Sequence, residues 1–152
     1  MTEAALAARV LDALLREDYA GLRRFVHGRT LDLPGRRVRL RRGDGFMAEV
    51  SVDPAQGLRL DDVFAAVRSL ADPSDDVAAF ERECRETLAT VRLQEASLDE
   101  VLRRMARVPD EARRGPGTYY ETLAAYTDHP VHPMGRCRIG LDAEELRNHA
   151  PE

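Results

Sequence analysis

Two neighbouring segments of alternating apolar and polar residues constrain the fold of this chain most tightly. They cover residues 37–41 and 46–52. Alternation with a period of two is typical of strands that bury one face. Gly43-Asp44-Gly45 lies between them and allows the backbone a tight reversal. The pattern predicts an antiparallel β-hairpin, and residues 58–60 are predicted to add a short third strand.

Apolar residues at spacings of three and four predict helices on both sides of this hairpin. The first helix begins at the N-cap Thr2 and continues to about residue 17, with a short extension through Phe25. Further helices are predicted over residues 61–70, 77–96, 97–108 and 118–126, the last two opened by the capping-box pairs Ser97/Glu100 and Thr118/Glu121. The sequence therefore predicts an α+β fold with an amino-terminal helix, a small antiparallel sheet and several packed helices.

Charge and composition argue against general nucleic-acid binding. The net charge is −4, whereas proteins that replace phosphate counterions need a positive field. Only 5% of the residues are aromatic and none is tryptophan, so stacking platforms are scarce. Residues 36–42 are rich in arginine, which fits either the solvent face of a half-buried strand or a patch that binds an anion or a partner.

The apolar runs indicate where the protein is located, and the two cysteines indicate whether it contains a disulfide. None approaches the roughly 18 apolar residues that a membrane span needs, and residues 1–16 lack the basic start of a secretory signal. We therefore expect a cytoplasmic protein without membrane contact. Cys84 and Cys137 lie far apart in the sequence, so a structural disulfide is not expected there, and Cys84 is predicted to be a buried apolar side chain.

The segment with the clearest chemical character covers residues 129–140 and reads HPVHPMGRCRIG. Its two prolines favour extended backbone over residues 129–133. If the following residues form a strand, Arg136 and Arg138 face the same side and make a cationic pair suited to phosphate or carboxylate. The alternatives are a rigid loop with surface arginines and a zinc site built from His129, His132 and Cys137.

The run His-Pro-x-His-Pro-x-x-basic-x-Arg-x-Gly resembles a motif of the IucA/IucC family, the synthetases that make siderophores without a nonribosomal peptide synthetase. Tyr120, Glu121 and Leu123 before the run, and Asp142, Pro151 and Glu152 after it, extend the similarity. The leucine-rich stretch LDALLREDYAG at residues 11–21 is similar to the first helix of that family. The likeness is specific over residues 128–140 and loose elsewhere.

The resemblance implies an activity and a site. Family members use ATP and Mg²⁺ to adenylate a carboxylate of citrate or a related acid, and they then join it to an amine or alcohol. It implies an amino-terminal, thumb-like α+β domain over residues 1–127 and the start of a nucleotide- and carboxylate-binding segment over 128–152. In that segment Arg136 and Arg138 would contact phosphates, and His129 or His132 would contact polar groups nearby; no catalytic residue is assigned.

Four differences from the family pattern affect the activity that we expect of this chain. Arg136 stands where the family usually has lysine, Asp128 where it has glycine, and Leu141 where it has phenylalanine. The chain is also much shorter than family members. We therefore expect an amino-terminal portion that does not catalyse ligation by itself. It is either a truncated domain or a separate protein that works with a second chain or as a homodimer; the alternative is a non-catalytic interaction module.

Overall fold

A computed structural model of the chain describes residues 1–45, 48–107, 124 and 132–137. Its helices and its antiparallel sheet form the α+β fold predicted from the sequence. The chain divides into two compact units, Met1–Cys84 and Arg85–Glu152. The predicted boundary between residues 127 and 128 lies outside the described residues, as does the predicted helix 118–126 apart from Ala124.

Helix α1, Glu3–Arg16, confirms the predicted first helix. The Thr2 Oγ1 accepts a hydrogen bond of 3.2 Å from the backbone N–H of Ala5, which satisfies one of the free donors at the helix start. One face of α1 is buried, and the strongest contributors have the spacing of three and four that predicted the helix. The buried residues are Leu6, Ala7, Ala8, Val10, Leu11 and Leu15.

The segment after α1 differs from the predicted helical extension. A 3-10 helix, Tyr19–Phe25, is interrupted where Ala20 and Gly21 adopt left-handed backbone conformations. The Asp18 side chain accepts a hydrogen bond of 2.9 Å from the N–H of Arg23, which holds this kink. Such an Asp turn competes locally with the helix, so the apolar spacing alone gave the wrong element.

Four strands form one antiparallel sheet in the order β1-β2-β3-β4. Strand β3, Arg36–Arg42, and strand β4, Val50–Val52, confirm the predicted hairpin, although β4 is shorter than predicted. Phe46 and Met47 lie outside the described residues. Strands β1, Val26–His27, and β2, Thr30–Leu33, were not predicted.

The turn between β2 and β3 explains why those strands form. Leu31 and Leu33 are buried and alternate with polar residues. Pro34 followed by Gly35 at φ 76° suits a type II turn, which needs a positive φ at its third residue. This Pro-Gly signal is visible in the sequence and could have identified the second hairpin.

Helix α2, Leu60–Leu70, begins earlier than predicted, so the expected strand at residues 58–60 and the expected N-cap at Asp61 are both wrong. Arg59 is the N-cap residue, and its N–H donates a 2.8 Å hydrogen bond to the carboxylate of Asp62. Because this contact fixes the first turn, Leu60 enters the helix and Leu58 is buried in the preceding loop.

Helix α3, Val77–Arg107, is one continuous helix of 31 residues, about 46 Å long. The predicted break at Ser97 is wrong. The Ser97 hydroxyl donates to the carbonyl of Gln94 at 3.0 Å, so it bonds to the preceding helical turn instead of capping a new helix. Cys84 is fully buried in α3, as predicted.

The core of the first unit lies between α1, the sheet and α2. Phe64 of α2 is fully buried, and its ring contacts Phe80 of α3 edge to face with 6.0 Å between the ring centroids. The buried sheet residues alternate along β2, β3 and β4, as expected for a sheet with one face on the core. They are Leu31, Leu33, Val38, Leu40 and Val52.

A short side-chain contact extends the sheet beyond β4. The Gln56 amide accepts a 2.8 Å hydrogen bond from the N–H of Arg39 and donates one of 3.0 Å to the carbonyl of the same residue. The Gln56 side chain thus takes the place of a peptide unit where the chain leaves β4 and enters the 3-10 helix Pro54–Gln56. None of the helices in the described ranges is long and apolar enough to cross a membrane.

The continuity of α3 is tested by comparing Ser97→Ala with Thr2→Ala. Alanine at Ser97 is expected to change the free energy of unfolding by only a few tenths of a kcal/mol, because alanine is favourable inside a helix. Alanine at the true N-cap Thr2 is expected to cost about 1 kcal/mol. Urea unfolding followed by far-UV circular dichroism measures both, and an equal loss in the two variants would indicate a helix start at Ser97.

Candidate functional site

The predicted binding segment is described from His132 to Cys137. The N–H of Gly135 donates to the carbonyl of His132 at 3.2 Å, and the N–H of Cys137 donates to the carbonyl of Met134 at 3.0 Å. These bonds form two consecutive turns, with Pro133 in a turn position that its fixed φ favours. The strand that would align Arg136 with Arg138 is therefore not present at Arg136.

Within this turn the Arg136 side chain is buried, with only 9% of the residue exposed. A guanidinium stays charged at physiological pH, so burial of this group requires polar surroundings. Arg136 is thus a buried residue and not one of the solvated surface arginines of the alternative interpretation. His129 and Arg138 lie outside the described residues, so the structure does not show whether the four predicted site residues converge.

The arginine-rich strand β3 has the structure expected for a half-buried strand. Val38 and Leu40 face the core, whereas the intervening arginines are exposed. Arg36 contacts Asp62 at 2.6 Å, Arg37 contacts Asp32 at 2.6 Å, and Arg39 contacts Asp53 at 3.5 Å. Three aspartates therefore offset much of the charge that made this stretch a candidate anion patch.

Asp12 of α1 forms a different polar contact, on the outer edge of the sheet. Its carboxylate accepts a 2.6 Å hydrogen bond from the backbone N–H of Val52 in β4. Burial raises the pKa of Asp12 from 3.8 to about 6, although the bond from Val52, the charges of Arg41 and Arg16, and a hydrogen bond with Ser51 act in the opposite direction. This carboxyl group therefore changes its charge close to neutral pH.

An open cavity of about 650 Å³ lies beside this contact. Leu15 and Arg16 of α1, Val26 of β1 and Val50 of β4 are among its lining residues. Both edge strands of the sheet therefore border the same space. The Arg23 guanidinium also lines it and donates to the carbonyls of Leu15 and Arg16, which fixes this cation at the carboxyl end of α1.

A smaller pocket of about 200 Å³ has apolar walls and one polar pair. The Tyr19 hydroxyl donates a 2.6 Å hydrogen bond to the carboxylate of Asp75. Burial, together with this hydrogen bond and the negative charge of Asp75, raises the pKa of Tyr19 to about 12. Tyr19 therefore remains a neutral hydrogen-bond donor at physiological pH and is unsuited to act as a base.

The sequence reasoning missed the residues that form these sites in the first unit. Asp12 lies on the polar side of an amphipathic helix, where an aspartate is unremarkable in a sequence. Tyr19 and Asp75 are separated by 56 positions, and Asp12 and Val52 by 40. Such contacts depend on tertiary packing, and no local spacing rule indicates them.

The raised pKa of Asp12 predicts a pH dependence of stability. Because the folded state binds the proton more tightly than the unfolded state, this group stabilises most below about pH 4, and that contribution is lost as the pH rises through about 6. Asp12→Asn keeps an acceptor for Val52 but does not titrate. The variant should gain about 1–2 kcal/mol relative to the parent between pH 4 and pH 7, after allowance for solvent screening.

Urea unfolding at a series of pH values measures this difference, and carbon-13 NMR of the Asp12 carboxyl reports its titration directly. Asp53→Asn is the matched control, because it removes a carboxylate next to β4 that caps the 3-10 helix Pro54–Gln56. A parallel pH profile for the parent and Asp12→Asn would contradict the assignment.

Comparison with known proteins gives no match: no family model, no curated protein and no solved structure is significantly similar to this chain.

Proposed function

We propose that the chain is the amino-terminal portion of an ATP-dependent siderophore synthetase. The run of residues 129–140 carries this proposal, because it combines two His-Pro pairs with two arginines in the order of the IucA/IucC motif. The burial of Arg136 inside consecutive turns supports it, since a buried permanent cation suits an anionic ligand. The α+β architecture of the described residues is compatible with the amino-terminal, thumb-like domain that the resemblance implies.

In the proposed reaction a carboxylate oxygen of citrate or a similar acid attacks the α-phosphorus of ATP and pyrophosphate leaves. An amine or alcohol then attacks the acyl carbon and AMP leaves. Arg136 and Arg138 would stabilise negative charge on the phosphates, while His129 and His132 would donate hydrogen bonds to polar groups beside them. Mg²⁺ would accompany ATP, and the protein would act in the cytoplasm.

The reaction is tested on the polypeptide that the complete gene encodes. Citrate activation is followed as ATP-dependent hydroxamate formation with hydroxylamine, together with pyrophosphate release. The proposal expects both products in equal amounts and neither without ATP or Mg²⁺. A folded protein that releases no pyrophosphate with citrate or other polycarboxylates would contradict the proposed function, and tight pairing with a separate protein instead would favour an interaction module.

The role of the arginines is tested by a conservative pair of substitutions. Arg136→Gln and Arg138→Gln should each lower the rate about 10²- to 10³-fold, because each removes a charge that stabilises the transition state. Arg136→Lys should retain activity within about tenfold, because a lysine supplies the same charge as a point donor. Arg103→Gln, an exposed helix residue paired with Glu100, is the control. Full activity in both glutamine variants would remove the proposed roles.

A further inference from the structure

The smaller pocket, of about 200 Å³, has apolar walls that come from three helices. Leu14 belongs to α1, Val67 to α2, and Val77 and Phe80 to the start of α3. The Phe80 ring is held in place by its edge-to-face contact with the buried ring of Phe64. Pockets for free ligands usually have about 300–1,000 Å³. This pocket is smaller, and its size suits a single side chain.

The charged residues in the lining have one sign. Asp75 and Asp76 are exposed and border the pocket, and none of the described residues that line it is basic. Tyr19 also lines it and stays neutral, because the charges of Asp75 and Asp72 help to raise its pKa to about 12. Apolar walls with a negative rim are complementary to a cation on an apolar stem.

Each of the two carboxylates has one oxygen engaged by the protein. Asp75 Oδ2 accepts hydrogen bonds from the Tyr19 hydroxyl at 2.6 Å and from the N–H of Asp72 at 3.0 Å. Asp76 Oδ1 accepts from the N–H of Ala79 at 2.8 Å and thereby caps α3. Within residues 1–45 and 48–107 no hydrogen bond engages the second oxygen of either group. The rim therefore offers one acceptor from each of two carboxylates.

This distribution of acceptors selects an ammonium group over a guanidinium. A guanidinium presents its donors as a planar fork, which fits the two oxygens of one carboxylate. A lysine ammonium is a compact charge with three N–H donors that point in separate directions. It can donate to one oxygen of Asp75 and one of Asp76, while its four-carbon stem lies along the apolar walls.

The backbone on both sides of Tyr19 adopts an uncommon conformation. Asp18 has a φ of 52° and Ala20 a φ of 50°, in the left-handed region that residues other than glycine rarely occupy. Such conformations concentrate at binding sites, where the surrounding structure holds them. Here they position the Tyr19 hydroxyl against Asp75, a residue 56 positions further along the chain.

We propose that the pocket between α1, α2 and the start of α3 binds a lysine side chain of a partner protein. The ammonium lies between Asp75 and Asp76, and the stem lies against Val67 and Phe80. This chain contains no lysine, so a second copy of it cannot supply the side chain. The interaction is separate from the proposed ligase activity and uses none of its residues.

The probes are three pentapeptides with blocked termini, in which two glycines stand on each side of lysine, arginine or norleucine. Nitrogen-15 NMR titration of the full chain measures their affinities from the Val77 amide. The lysine peptide should bind about threefold or more tightly than the arginine peptide and about fivefold or more tightly than the norleucine peptide, because exposed ion pairs contribute modestly. Equal affinity for lysine and either counterpart, or no binding of the lysine peptide, would overturn the proposal.

Butylamine separates a partner's lysine from a free amine, because it carries the same ammonium and stem without a peptide backbone. It should bind no more than about threefold more tightly than the lysine peptide, since the pocket contacts only the side chain. Tighter binding of butylamine than this would overturn the proposal and would assign the pocket to a small-molecule amine.

Two conservative variants locate the site. Asp75→Asn and Asp76→Asn each remove a charge and keep a side-chain oxygen for Tyr19 and for the N–H of Ala79. Each should weaken the lysine peptide about threefold and leave the norleucine peptide unchanged. Asp61→Asn makes the same change at an exposed position at the start of α2, and it should stay within about 1.5-fold of the parent.

Circular dichroism establishes that each variant is folded, and if one of the two is not, the other decides the outcome. In carbon-13 NMR spectra of the parent, the methyl groups of Val67 should shift on addition of the lysine peptide, because they form a wall of the pocket. Unchanged affinity in a folded Asp75→Asn or Asp76→Asn variant, or unshifted Val67 methyl groups at saturation, would contradict this assignment of the pocket.

Discussion

The hydrogen bond from the Val52 N–H to the Asp12 carboxylate joins the first helix to the edge of the sheet, and the arrangement of the first unit depends on this junction. Helix α1 buries its apolar face with Val10 and Leu11, and the adjacent Asp12 reaches the backbone of β4. Hydrophobic burial holds the helix against the sheet, but it is non-directional and does not fix which residues meet. The hydrogen bond is directional, because the Asp12 carboxylate accepts from one particular N–H of one strand.

This junction carries an electrostatic cost that its neighbours reduce. A carboxylate loses solvation when it is buried, and that loss is why the pKa of Asp12 rises to about 6. Arg16 and Arg41 lower the cost without removing it. Asp12 covers the sheet edge at Val52, and Val50 lines the cavity that Arg16 also lines.

Local sequence patterns were sufficient for α1 and for the hairpin of β3 and β4, because each has a regular apolar period and a strong boundary signal. They failed where two local signals competed. Ser97 with Glu100 matched a capping box, but the apolar spacing continued through Ser97, and the continuous helix α3 satisfies more backbone hydrogen bonds than a broken one. At residues 58–60 the Asp62 contact moved the helix start, which a short apolar run cannot reveal.

The candidate sites also combine features that the sequence shows with features that depend on tertiary packing. The motif of residues 129–140 was visible in the sequence because its prolines, histidines and arginines are contiguous. The turn at Pro133 and the burial of Arg136 were not visible, because both depend on how the segment packs. The sheet-edge cavity was also invisible, since its walls come from α1, β1 and β4, which are separated in sequence and meet only in the folded chain.

Amide hydrogen exchange at Val50 and Val52 tests most directly whether α1 closes one position of the sheet edge and leaves the next one open. Both residues belong to the same short strand, so local unfolding exposes them together, but the Val52 N–H is bound by Asp12 and Val52 is fully buried, whereas Val50 is half-buried and lines the cavity. The Val52 amide should exchange about tenfold or more slowly than the Val50 amide, after correction for intrinsic rates. Equal protection of the two amides, or faster exchange at Val52, would contradict this organisation of the edge.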